Sequence, residues 1–248
     1  MKPSPWALVA TLALAGSAAA QAPSRTGRSF APVDLAGYWT AVVTEDWAWR
    51  MRTPPKGDYA SLPLNAEGKR VADTWNESQD GSCLAFGAPA MLRMPTRVHI
   101  TWQDDDTLEL TTDNGVQTRR LHFAAAPSAG AHTAQGDSHA EWQIADRVIG
   151  SGADAGVVST QLREARWAPL KVTTNNLAAG WLRPNGVPYS ETAVLTEYFD
   201  LVPDGDDQWL IVTTIVDDPT YLTERLIISS NFKREASGAK WAPKPCKR

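Results

Sequence analysis

Asp34-Leu-Ala-Gly-Tyr-Trp-Thr-Ala-Val-Val-Thr-Glu-Asp-Trp-Ala-Trp-Arg-Met51 is the stretch from which the fold is read. From Tyr38 to Met51 its pattern has a period of two, which predicts one long strand. Trp39, Ala41, Val43, Trp47, Trp49 and Met51 fall on one apolar face, and Glu45 interrupts them. A carboxylate among three tryptophans is either a paired core charge or the polar anchor of an aromatic-lined pocket.

Outward from this stretch, Thr53-Pro-Pro-Lys-Gly-Asp58 reads as a loop, because proline donates nothing to a ladder and glycine permits a turn. Asn65 is the expected N-cap of a helix over Ala66–Trp75. Strands follow over 97–103, 107–112, 116–123, 139–145, 170–174, 193–202, 208–217 and 225–234. Asp104-Asp-Asp106, Asp113-Asn-Gly115 and Asp204-Gly-Asp-Asp207 supply turns between them. About nine strands and one short helix, with no internal repeat or linker, predict a single all-β domain over 33–248, an antiparallel barrel or sandwich.

Lys2, the apolar run Trp6–Gly16 and Ser17-Ala-Ala-Ala20 form a signal-peptide pattern over 1–20, with 21–32 a flexible arm. The mature chain is then exported, periplasmic or secreted, and no later stretch has the length of a membrane helix. The formal net charge of −4 becomes one unit more negative without Lys2. With no basic cluster, this argues against nucleic acid as a partner. In an oxidising compartment, the two cysteines, Cys83 and Cys246, are read as one disulfide.

Gly37-Tyr38-Trp39, preceded by Val33-Asp-Leu35, resembles the Gly-x-Trp at the first strand of the lipocalin-like (calycin) barrels. Thr196-Glu197-Tyr198 resembles that family's Thr-Asp-Tyr motif. The resemblance implies a lipocalin-like β-barrel, with Arg225 as the late arginine that packs over the first-strand tryptophan. Thr44-Glu-Asp-Trp47 and Pro54-Pro-Lys-Gly-Asp-Tyr59 resemble segments of uncharacterised exported bacterial proteins, a likeness that carries no activity with it.

Candidate chemistry is sparse. Glu45 and Glu197 both sit on apolar strand faces, where a carboxyl group held away from water can act as general acid or base. Each could equally pair with an arginine. His99 shares a face with Arg97, and His122 with Arg120; if their strands are neighbours, both histidines could enter one polar lumen, with Tyr189 or Tyr198 as an additional donor. His132 and His139 lie in or beside a small-residue loop and are incidental. No metal-ligand spacing, nucleophile elbow or glycine-rich phosphate loop occurs, so no metal and no cofactor is expected.

Three functions remain open. One is a binding module for a small hydrophobic or aromatic molecule, lined by Trp39, Trp47, Trp49 and Trp102. The second is a cofactor-independent isomerase, cyclase or lyase. It would use Glu45, Glu197, His99 or His122 for proton transfer, and Tyr198 or Arg97 to stabilise negative charge. The third is a structural accessory protein of the envelope, its barrel filled by its own side chains.

Overall fold

The computed structural model describes residues 26–124, 130–144 and 168–248; the expected signal peptide and most of the N-terminal arm lie outside them. Nine strands close into a barrel. Around it run β1 (Gly37–Val42), β12 (Leu226–Glu235), β11 (Asp207–Asp217), β10 (Val194–Asp204), β7 (Leu170–Asn175), β6 (Asp137–Trp142), β5 (Thr118–His122), β3 (Thr107–Thr112) and β2 (Arg97–Trp102), which returns to β1. The remaining short strands, β4 (Asn114–Gly115), β8 (Gly180–Arg183), β9 (Val187–Tyr189) and β13 (Lys244–Pro245), stand outside the barrel.

The expected barrel is therefore present, with one correction: the sheet is mixed. β5 and β6 pair in parallel at Leu121↔Ser138 and His122↔His139. β5 and β6 run in the same direction, whereas strands joined by a hairpin run in opposite ones.

The first strand is the larger correction. It stops at Val42, nine residues short of Met51. The last register pair is Val42↔Asn231, after which Asn231 Nδ2 donates to the Glu45 carboxylate. Asp46 then adopts a left-handed φ of 51°, and Trp47–Arg50 forms one helical turn, α1. The alternation that reads as a strand past Val43 is thus broken by backbone direction: Trp47 and Met51 end up 58% and 52% exposed.

Period-two burial fills the barrel. Trp39, Val98, Ile100, Leu108, Leu110, Leu121, Leu170, Val172, Phe199, Leu210, Val212 and Phe232 form one buried cluster inside it. Trp39 is fully buried, its Nε1 donating to Leu35 O at 3.0 Å. Arg234 covers its ring, with the guanidinium carbon 4.4 Å from the centroid. The arginine over the first-strand tryptophan is therefore Arg234; Arg225 is exposed and pairs with Asp217 at 2.8 Å. Gly37 has φ 130°, and a Cβ there would stand 3.1 Å from Arg234 Nη1, so both conformation and space favour glycine.

A second buried cluster closes the end of the barrel where β1 finishes and β12 begins. Leu64, Ala72, Leu177, Leu182, Val187, Tyr189, Leu195, Val216 and Leu226 belong to it. This cap is built from the chain between β1 and β2, the β8–β9 hairpin and the β11–β12 turn. Its longest helix, α2 (Ala66–Ala72), starts where Asn65 Oδ1 accepts from Gly68 N at 2.8 Å, which is the expected N-cap. A second one-turn helix, α3 (Ala88–Met91), is buried at all four residues and packs against β8. Among the described residues, no helix is long and apolar enough to cross a membrane.

Candidate functional site

The expected site residues are not brought together. Val98 and Ile100 point inward, so His99 and Arg97 lie on the outer face of β2. There His99 stacks on Tyr38 with centroids 4.0 Å apart, and Arg97 pairs with Glu235 at 3.0 Å. Burial pushes the His99 pKa down, opposed by Glu109. His122 is also outward-facing, with Nδ1 3.5 Å from Thr107 Oγ1. Tyr198 is half-buried on the outer face of β10, and Glu45 is held by Asn231 in the turn after β1. Among the described residues, no polar lumen joins the two histidines to Glu45.

Glu197 alone of these lies inside the barrel, fully buried. Arg119, 1% exposed, places Nη2 2.5 Å from its Oε2. The contact is an ion pair, and neither carboxylate oxygen has a hydrogen-bond partner. Arg119 donates from Nε to Ser138 Oγ at 3.1 Å and from Nη2 to Thr174 Oγ1 at 2.7 Å. Core layers above and below isolate this pair from solvent, so it is the paired core charge that strand phase allowed.

The four tryptophans do not line one pocket either. Trp39 is core, Trp47 is exposed, and Trp102 packs 5.4 Å from Phe123, at the end of the barrel away from the cap. Trp49 lines a cavity. Its Nε1 donates to Asp58 Oδ2 at 2.9 Å, and the Arg183 guanidinium carbon lies 5.3 Å from its ring.

That cavity lies in the cap. An inner pocket of about 60 Å³ is bounded by Trp49, Arg50, Arg93, Met94, Arg183, Leu182, Leu226 and Ile228, among others. Arg50, Met94 and Pro184 also line an outer cleft of about 390 Å³, whose walls include Met51, Phe86, Pro95 and the C-terminal segment Lys244–Lys247. The cleft shares Met51, Pro95, Asn114 and Lys244 with a shallower groove of about 460 Å³ along β1 and β2. Matched against protein families, curated proteins and solved structures, the chain shows no match. Geometry alone therefore has to carry the functional reading.

Arg50 is the charged residue common to pocket and cleft. It is 4% exposed, donates from Nε to Arg93 O at 3.0 Å and from Nη1 to Val42 O at 2.9 Å, and leaves Nη2 without a partner. Burial, with Arg93 beside it, pushes its pKa down to about 10. Arg93 donates to Asp46 and to Ser229 O. Arg183 has Nη1 buried and unpartnered, and burial lowers its pKa.

The cleft's far wall is pinned in place. The Cys83–Cys246 disulfide is formed, with Cα atoms 5.0 Å apart, across a sequence separation of 163 residues. Lys247 N donates to Gly81 O at 2.8 Å, and Lys244 N donates to Asp113 O at 2.7 Å. Sequence reasoning found the disulfide; it named Trp49 for a pocket shared with three other tryptophans and did not name Arg50, Arg93 or Arg183. Arg50 sits in the opening stretch, where a strand reading sends it to the polar face. Among the described residues, no group of three or more His, Cys, Asp or Glu could hold a metal ion.

Proposed function

We propose that this protein is an exported, periplasmic or secreted, lipocalin-like binding module that takes a small hydrophobic or aromatic molecule at its capped end. The observation that carries the reading is the pairing of a filled barrel with a cleft of about 390 Å³ in the cap. That volume falls in the range of small-molecule sites, roughly 300–1,000 Å³. Met51, Phe86, Met94, Pro95 and Pro184 offer apolar contact, with Trp49 in the pocket behind. The arginine–tryptophan stack at Gly37-Tyr38-Trp39 supports the lipocalin-like likeness, and the disulfide supports an oxidising compartment.

The test is titration of the full chain with the neutral aromatic dye N-phenyl-1-naphthylamine. We expect saturable binding, weakened at least tenfold by Met94→Trp, which fills the shared wall, and by Met51→Asp at the rim. Both variants are checked for an unchanged unfolding midpoint. Binding that ignores both substitutions would move the site elsewhere. The absence of any binding would favour the structural envelope reading, which the filled barrel also supports.

A further inference from the structure

We propose that the ligand of the cap carries an oxyanion, a carboxylate or phosphate group, held between Arg50 and the basic rim of the cleft. The inference rests on the reading of the cap as a binding site and adds the chemical class of what it binds. Its starting point is a charge imbalance in an acidic protein. Arg50, Arg52, Lys244 and Lys247 line the cleft, against the single carboxylate of Asp80. Thr53 Oγ1 donates to that carboxylate, so it is partly engaged already. The chain as a whole has a formal net charge of −4, and the cleft therefore departs in sign from its surroundings.

Arg50 makes this more than a patch of surface cations. The residue is 4% exposed and two of its guanidinium nitrogens are fixed by backbone carbonyls, yet Nη2 has no partner. A buried donor on a charged group is costly to leave unsatisfied, and an oxyanion is the acceptor that best satisfies it. The carboxylates on the other side are occupied: Asp46 accepts from Arg93, Glu45 from Asn231, and Asp58 from Trp49. Held by Val42 O and Arg93 O, the guanidinium is oriented before a ligand arrives, which lowers the ordering cost of binding. Apolar Met94 and Pro184, beside Arg50, leave room for a non-polar body next to the charged head.

The experiment compares benzoate and phenyl phosphate with neutral benzamide on the full chain by calorimetry, with the neutral dye in parallel. We expect at least one oxyanion to bind tenfold or more tightly than benzamide. We also expect the Arg52→Met/Lys244→Met double variant to weaken oxyanion binding at least tenfold and to shift dye affinity far less than that. Arg50→Met should abolish oxyanion binding; the double variant keeps the test decisive if Arg50→Met does not fold, since its changes are on the exposed rim. Equal binding of benzamide, or oxyanion binding indifferent to the rim variant, overturns the inference. Dye binding without oxyanion binding sinks the anionic class and leaves the binding reading standing. Failure of both dye and oxyanions to bind removes the two together.

Discussion

Arg234 sits over the first-strand tryptophan, its guanidinium carbon 4.4 Å from the Trp39 ring centroid, and donates to the carbonyls of Ala36 at 3.0 Å and Asp34 at 2.8 Å. One side chain thus covers the core aromatic and fastens the entering chain to the barrel. A partly desolvated cation–π contact contributes about 0.5–2 kcal/mol, and hydrogen bonds from a charged donor about 1.5–3 kcal/mol. Arg234→Met should keep the covering stem but lose both terms, destabilising the fold by about 2–4 kcal/mol in urea unfolding. Arg225→Met, on the exposed Asp217 pair, should change stability by less than about 1 kcal/mol. Equal effects of the two would refute the role given to Arg234.

Arg119 and Glu197 make a different kind of contribution. Their charges are almost completely withdrawn from water, so attraction and desolvation largely cancel, whereas removing one partner strands the other. Glu197→Leu and Arg119→Leu should each cost about 3–5 kcal/mol, and the double variant less than either alone. Additive losses in the double-mutant cycle would show that the two side chains do not act as a pair.

The disulfide closes a loop of nearly two-thirds of the chain and also secures the cleft wall carrying Lys244 and Lys247. The chain-entropy relation puts the stabilisation from a loop this long at about 5 kcal/mol. Cys83→Ser/Cys246→Ser should lower stability by an amount approaching this and weaken dye binding, as Lys247 loses its anchor beside Gly81. A variant with unaltered unfolding and unaltered binding would make the bridge incidental to both.

How much of this was legible in the sequence follows from the range of the forces involved. The barrel strands β2, β3, β5, β6, β7, β10, β11 and β12 are written in alternation, because each buries one face in the barrel interior. The short β4, β8 and β9 outside the barrel carry no such signal. Asn65 announces its helix by local capping chemistry. Past Val42 the same alternation misleads: Trp47 and Trp49 belong to a turn fixed by Asp46 and by Asn231, which is 186 residues from Glu45. The parallel β5–β6 seam is a choice of neighbour and direction, which alternation within either strand does not encode. The cap cavity needs Arg50 from one segment and Pro184 and Lys244 from two others, and no spacing in the chain encodes that meeting. Glu197 was rightly placed on a buried face, yet only tertiary contact could supply Arg119 as its partner.

His99 gives the fold a pH dependence whose sign can be fixed. Stacked on Tyr38 and bordered by Trp241, it is partly withdrawn from water, and burial lowers its pKa below the ordinary value of 6.5. A histidine that binds its proton less readily in the folded state than in the unfolded state favours folding while it is neutral. Its contribution is therefore complete above about pH 6.5, the unfolded value, and is lost as pH falls through the lower folded value. His99→Phe retains a flat ring against Tyr38 and removes the titration. Between about pH 7.5 and 5, the unfolding midpoint of the native protein should fall more steeply than that of His99→Phe. Parallel profiles would mean that the stacked imidazole keeps its ordinary proton affinity and contributes no pH sensitivity to the barrel.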